Sequence, residues 1–377
     1  MVQDAPVNSG AWVLPDAIVA RARVARTQAK YHRWAKNGRD VRFGDLFNLV
    51  CHPDYLMVAW DHVAHNKGSR TAGIDGVTVK QITDRGEIAE LLAQIATSLK
   101  DGTYRPSPVR QRLIPKPGGK SRPLGIPTVT DRVVQQSLRM VLEPIFEADF
   151  LPVSYGFRPR RRAQDAVAEI HYYATRGYRW VLDADIEGCF DNIDHQAVLD
   201  RVRARISDRR VVALTRAFLK AGVITELGDT RGTYTGTPQG GIISPLLANI
   251  ALSVLDEVIM APWADGGAQA TQWARRSRVR KGMGNWRIVR YADDFVILTN
   301  GNREDVEQLR EQVITVLDTI GLRLSAAKTR IAHLREGINF LGFHLQWKAQ
   351  RGSGKWYCFT MIGDKAFDHV KSTIRKL

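Results

Sequence analysis

Two apolar strands that end in carboxylates set the tightest limit on how this chain can fold. In the run VLDADI (181–186), strand alternation puts Leu182, Ala184 and Ile186 on one face and Val181, Asp183 and Asp185 on the other. Acids on an otherwise apolar strand are costly unless something compensates them. The second run, RIVRYADDFVILT, carries Asp293 and Asp294 between two apolar strands, at the tip of a hairpin. Each cluster alone has an ordinary reading, because Asp is a common turn residue. The two lie 108 positions apart (293 minus 185), and together they fit adjacent strands of one sheet. Three carboxylates placed there would hold two Mg²⁺ ions, a clamp that activates an attacking hydroxyl and stabilises departing phosphate oxygens. No His/Cys cluster and no P-loop run offers a rival site.

The rest of the pattern mixes helices and strands without a βαβ rhythm, which predicts an α+β fold. Helical periodicity marks residues 18–34, 43–66, 87–100, 131–150, 162–175, 194–206, 208–221, 244–260 and 303–320. Hairpins are expected at 109–128 and 223–235, and short strands in IAHL and INFLGFHLQW. Residues 261–286, with RRSRVRKGMGNW, read as an exposed basic insertion, and GDKAFDHVKSTIRKL begins a last helix.

Composition narrows the partner. The chain has 377 residues, enough for two to three domains, and Lys+Arg 55 against Asp+Glu 39 leaves a net charge of +16. That excess favours a polyanion, nucleic acid or an anionic membrane. A span is not expected, because the most apolar stretch, IISPLLANIALSVLDEVI, is broken by Ser244, Pro245, Asn249 and Ser253 and ends in Asp256-Glu257. No secretory leader is visible at the start. Cys51, Cys189 and Cys358 are widely spaced, which excludes a disulfide framework and a cysteine zinc site and suits a reducing cytoplasm.

With these blocks in view, the chain resembles the reverse transcriptases encoded by bacterial group II introns. YADD at 291–294 is one of an ordered series with AGIDGVTV, IPKPGGKSRPLGIPT, SYGFRPRRRAQDAV, DADIEGCFDNIDH, TPQGGIISPLLANI, LSAAKTRI and FLGFHL, covering about residues 70–345. The resemblance implies a right-hand polymerase: a basic helical extension over 1–70, fingers over 71–180, a palm over 181–345, and the start of a thumb or maturase region over 346–377, incomplete. It implies RNA-directed DNA synthesis from dNTPs on an RNA template, with intron RNA and a DNA primer or target as partners. The cofactor would be two Mg²⁺ ions, with Mn²⁺ as a substitute.

Carried over by position, the resemblance makes Asp185, Asp293 and Asp294 the catalytic, metal-binding acids, with the backbone carbonyl of Ile186 completing the shell. Phe190 matches the aromatic beneath the incoming sugar, where a ring would clash with a 2′-OH; a buried core Phe is the competing reading. Gln239 would lie along the nucleotide, and Lys116 and Arg122 would reach its triphosphate. Arg158, Arg160, Arg161 and Arg162 would track template phosphates, and Lys328 would steady the primer side. Two alternatives stay open: a domesticated enzyme in phage defence or at CRISPR loci, and a non-catalytic RNA-binding splicing cofactor.

Overall fold

The computed structural model of the chain describes residues 13–115, 121–226, 229–233, 235–237 and 240–375. Its mixture of helices and sheets agrees with an α+β class. The chain divides into two compact units, Met1–Asp149 with Leu199–Leu246 and Phe150–Val198 with Leu247–Leu377. Each unit is therefore assembled from two separate stretches, unlike the sequential division expected above.

The strands are β1 (Val109–Pro115), β2 (Ser121–Ile126), β3 (Trp180–Ala184), β4 (Val223–Ile224), β5 (Thr230–Arg231), β6 (Trp286–Tyr291), β7 (Asp294–Thr299), β8 (Arg330–His333), β9 (Ile338–Phe340), β10 (Phe343–Ala349) and β11 (Trp356–Ile362). In the first unit they form a sheet ordered β2-β1-β4-β5, with β1 antiparallel to β2 and parallel to β4. Helices Ala17–Asn37, Pro53–Ala64 and Val129–Asp149 pack on one another beside it. The single helix expected over 43–66 is two, Phe47–Val50 and Pro53–Ala64. His52 ends the first by capping the second: its Nδ1 accepts from the Asp54 amide at 3.1 Å, and Pro53 takes the first helical position. Gly240 has φ of 111° and backs onto β2, where a Cβ would stand 2.5 Å from the Gly125 carbonyl oxygen, so only glycine fits.

The second unit holds an antiparallel sheet ordered β6-β7-β3-β8, with Asp183 opposite Val296 and Ala184 opposite Phe295. One face packs Val181, Val289, Val296, Leu298 and Ala332 against Ala166, Val167 and Ile170 of helix Ala163–Thr175. A further sheet, β11-β10-β9, completes that core through Leu345, Trp347 and Cys358. Strand β11 goes unanticipated in the sequence, because only its Cys358 is buried and the flanking WY and TMI stay exposed. All three cysteines are free and buried.

The stretch 244–263 is long and apolar enough to cross a bilayer, and 72% of its most apolar part is buried inside the protein, as in a core helix. Most of the basic stretch 261–286 is exposed, and helix Gln272–Arg280 within it buries no residue. Two of its side chains are tied down all the same: Arg275 lies 4.5 Å from the Trp263 ring and donates to Ala270 O at 3.0 Å, and Arg278 donates to Gly284 O at 2.8 Å. Two of its arginines are thus spent on structure, while Arg276, Arg280 and Lys281 stay exposed.

Candidate active site

Register alone brings the acids together. Tyr291 pairs with Asp294 across the β6–β7 hairpin, and continuing the β3–β7 register one step past Ala184–Phe295 sets Asp185 opposite Asp294. Alternation keeps Asp183, Asp185 and Asp294 on the face that carries Val181, Val296 and Leu298, at its far end where the apolar packing stops. Beyond β3 the chain stays pinned: Ser325 N donates to Asp185 O at 2.8 Å, and Glu187 N donates to Arg323 O at 2.9 Å. This bridging uses the Asp185 carbonyl and the Glu187 amide, not the Ile186 carbonyl.

The charges there are unbalanced. Partial removal from water, then the carboxylates of Asp293 and Asp185, push the Asp294 carboxyl up to about 6, against the opposing pull of Lys328. Lys328 Nζ lies 2.8 Å from Asp185 Oδ2, and that bond holds the ammonium above its ordinary value. Asp183 is satisfied differently: Arg330 Nε donates to it at 3.0 Å, although burial still raises its carboxyl. Among the described residues no three His, Cys, Asp or Glu side chains are drawn together as a ready ligand set. The donor chemistry nonetheless fits a hard divalent cation, with three carboxylates sharing one field and a lysine ammonium held against one of them.

A fully buried arginine, missed in the sequence, fixes the hairpin that carries Asp293 and Asp294. Arg290 stands one residue before Tyr291 and has no exposed surface. Its Nε and Nη2 form a paired contact with Asp256 at 2.8 and 2.5 Å. Nη1 donates to Asn249 Oδ1 at 3.0 Å and to the Ala292 carbonyl at 2.9 Å, and Nη2 donates to Ser154 Oγ at 2.8 Å. Ala292 has φ of 58°, a left-handed conformation that glycine usually fills at this hairpin position, so the carbonyl contact holds a strained residue. Segment 153–155 also runs alongside β6, through Arg290 N to Val153 O at 2.9 Å and Tyr155 N to Arg290 O at 2.8 Å.

Gly156 closes this arrangement. A Cβ on it would lie 2.3 Å from Ala292 N, so the main chain of 156 rests directly on the acid-bearing turn. Gly156→Ala should push that turn aside. Misplacing a reacting group by about an ångström costs up to about a hundredfold in rate, so whatever chemistry these acids carry should fall by up to that factor in a single-turnover measurement. Because every atom the new Cβ meets is main chain, thermal stability should fall as well.

The other predicted residues are scattered. Phe190 is 7% exposed and meets the half-exposed Phe157 ring edge-on at 6.3 Å, so it lines the boundary between core and surface. Arg158 corrects an expectation. It is buried, lies over the Phe150 ring at 5.2 Å, and donates to Leu151 O and Ser154 O at 2.7 and 2.8 Å, so it braces its own loop and does not face a template. Arg161 donates to Pro152 O at 2.7 Å and covers Tyr155. Arg160 is exposed, and Arg162 is exposed beside Asp165 at 3.4 Å. Arg122 lies on β2 in the first unit. Lys116 and Gln239 lie outside the described residues.

Residues 114–345 match the family described as reverse transcriptase (RNA-dependent DNA polymerase). Protein YkfC of Escherichia coli K12 is 37% identical, over 93% of this chain and 95% of its own length. Group II intron-encoded protein LtrA of Lactococcus lactis is 35% identical over 85% of this chain, and mitochondrial nuclear intron maturase 1 of Arabidopsis thaliana is 26% identical over 57%. The matched region spans 60% of LtrA and 40% of the Arabidopsis maturase.

Proposed function

Because the chain belongs to the group II intron reverse transcriptase and maturase family, we propose that it is an RNA-directed DNA polymerase, extending a DNA primer with dNTPs on an RNA template, intron RNA above all. The observation that carries this reading is the sheet end where Asp185, Asp293 and Asp294 share one field. In this reading the second unit contains the palm and the first the fingers. Asp185, Asp293, Asp294 and the Ile186 carbonyl would hold two Mg²⁺ ions, with Mn²⁺ as a substitute, and the bound ions would activate the primer hydroxyl and stabilise the departing pyrophosphate. Lys328, 67% exposed along its side chain, holds Asp185 through a single ion pair and is free to swing aside.

Lys116 and Arg122 would meet the triphosphate and Gln239 the nucleotide, while Arg160 and Arg162 would follow template phosphates. Primer extension on an RNA template with Mg²⁺ and dNTPs tests the activity. Product ladders support the reading, and their absence under conditions where the protein binds RNA overturns it in favour of a non-catalytic RNA-binding splicing cofactor.

Phe190 sets a narrower expectation. Its ring would bar a 2′-OH, so Phe190→Val should raise rNTP incorporation relative to dNTP by at least about tenfold, the scale of one lost steric contact in a pocket. Discrimination ratios measured on a single template decide it. An unchanged ratio in an active variant returns Phe190 to a purely packing role.

A further inference from the structure

Away from the carboxylates, the first unit holds an open cleft of about 340 Å³ lined by Arg42, Arg203, Ser207, Arg209 and Arg216. Its walls are built from two buried polar anchors. Arg205 donates to Gly38 O at 3.0 Å, Val41 O at 2.9 Å and Ala35 O at 3.2 Å, and pairs with Asp149 at 2.8 Å. Asp208 accepts from Leu46 N at 2.9 Å, Phe47 N at 2.8 Å and Arg210 N at 3.0 Å, capping helix Arg209–Leu219. Between them Phe43 pairs with the chain at Ile206, through Phe43 N to Arg205 O at 2.7 Å and Ser207 N to Phe43 O at 2.8 Å. These bonds clamp the 38–47 segment onto the 205–210 corner, and so fix Arg42 beside the other three arginines.

The charge in this cleft is one-sided. Arg203 pairs with Asp200 at 2.6 Å, and Arg42 donates to a main-chain oxygen, Arg203 O, at 3.1 Å. Both oxygens of Asp208 are committed to amides. Among the described residues Arg209 and Arg216 make no ion pair or side-chain hydrogen bond, and both are exposed. A fold that clamps like charges together at a rigid corner accepts a repulsion that an anion would relieve. Guanidinium forks match phosphate oxygens, and no aromatic ring lines the cleft to stack a base. We propose that this cleft is a phosphate-binding site that grips the sugar-phosphate backbone of an RNA strand, without reading its sequence. The proposal rests on the RNA-handling role argued above, and it concerns residues remote in sequence from the carboxylates and from the 158–162 run.

The test uses the full chain and anisotropy of a labelled structured RNA from 50 to 300 mM KCl. Arg209→Gln/Arg216→Gln should lose affinity by roughly tenfold at low salt and flatten the log Kd against log salt slope by about 1.4–1.8, since each lost phosphate contact removes about 0.7–0.9. Arg209→Lys/Arg216→Lys should restore most of the slope. Extension of a short primer–template should proceed at an unchanged rate in both variants. A slope identical to that of the parent overturns the proposal. So does inorganic phosphate or pyrophosphate binding that the Gln variant loses while its RNA affinity stays intact, which would make the cleft a site for free anions. If the parent binds RNA through these arginines yet extends no primer, the polymerase reading fails and this site stands.

Discussion

Asp294→Asn is expected to lower primer extension by at least about a hundredfold in Mg²⁺, the scale on which single electrostatic contributors to a transition state act, while RNA affinity stays within about twofold. The substitution keeps the shape of the side chain and removes one charge from the three that would hold the cations. It should not weaken the fold. The ionised Asp294 carboxylate is crowded by Asp293 and Asp185 and partly withdrawn from water, which is why its carboxyl is raised to about 6. Near neutral pH a neutral amide relieves that crowding, so the variant's thermal midpoint should equal or exceed the parent's. Lost synthesis in an equally or more stable protein separates chemistry from folding. Extension within a few-fold of the parent would sink the assignment of Asp294.

Arg290→Met should be the most damaging single change outside the acids, for two separable reasons. It strands Asp256, which has no exposed surface, without its counter-charge. Breaking a buried pair from one side costs about 3–5 kcal/mol, a large part of a typical stability. It also removes the donor that holds the Ala292 carbonyl at 2.9 Å. Arg290→Met/Asp256→Leu separates the two effects. With both charges replaced by apolar groups, most of the stability should return, as it does for other buried pairs. Extension should remain at least about tenfold down, because the Ala292 carbonyl in the turn before Asp293 and Asp294 then lacks its side-chain donor. Denaturant unfolding and single-turnover extension on the same preparations give both readings. A double variant with parental extension would reduce Arg290 to a packing role.

The acids were legible in the sequence because they break a pattern: Asp185 ends an apolar strand and Asp293-Asp294 interrupt an apolar hairpin, so each needs a compensating reason. Their supports were not. Asn249 and Asp256 read only as interruptions of an apolar run, when in the fold both reach Arg290. Nothing local marks a helix residue as the partner of a strand residue 34 positions later. Arg158 was misjudged for the converse reason. The four arginines of 158–162 look alike as a string, yet the left-handed turns at Phe157 and Arg160 send Arg158 inward and leave Arg160 outside. Strand β11 escaped notice because an edge with one buried residue has no amphipathic period to read. Helix positions were easier, since capping residues such as Asn302 and Asp208 announce themselves by type.

The order β6-β7-β3-β8 also bears on how the protein is made. Strand β3 leaves the ribosome long before any strand it pairs with: its end at Ala184 meets Phe295, 111 residues later (295 minus 184). At synthesis rates of about 5–20 residues per second, that strand waits about 5–20 s with both edges open. Its other neighbour, β8, emerges later still. The nascent chain thus carries Val181 and Leu182 unpaired through much of translation, an aggregation-prone interval of the kind chaperones cover. Slowing elongation between residues 184 and 294 would lengthen that interval, so synonymous codon choice in this stretch should affect soluble yield more than the same changes placed after residue 333.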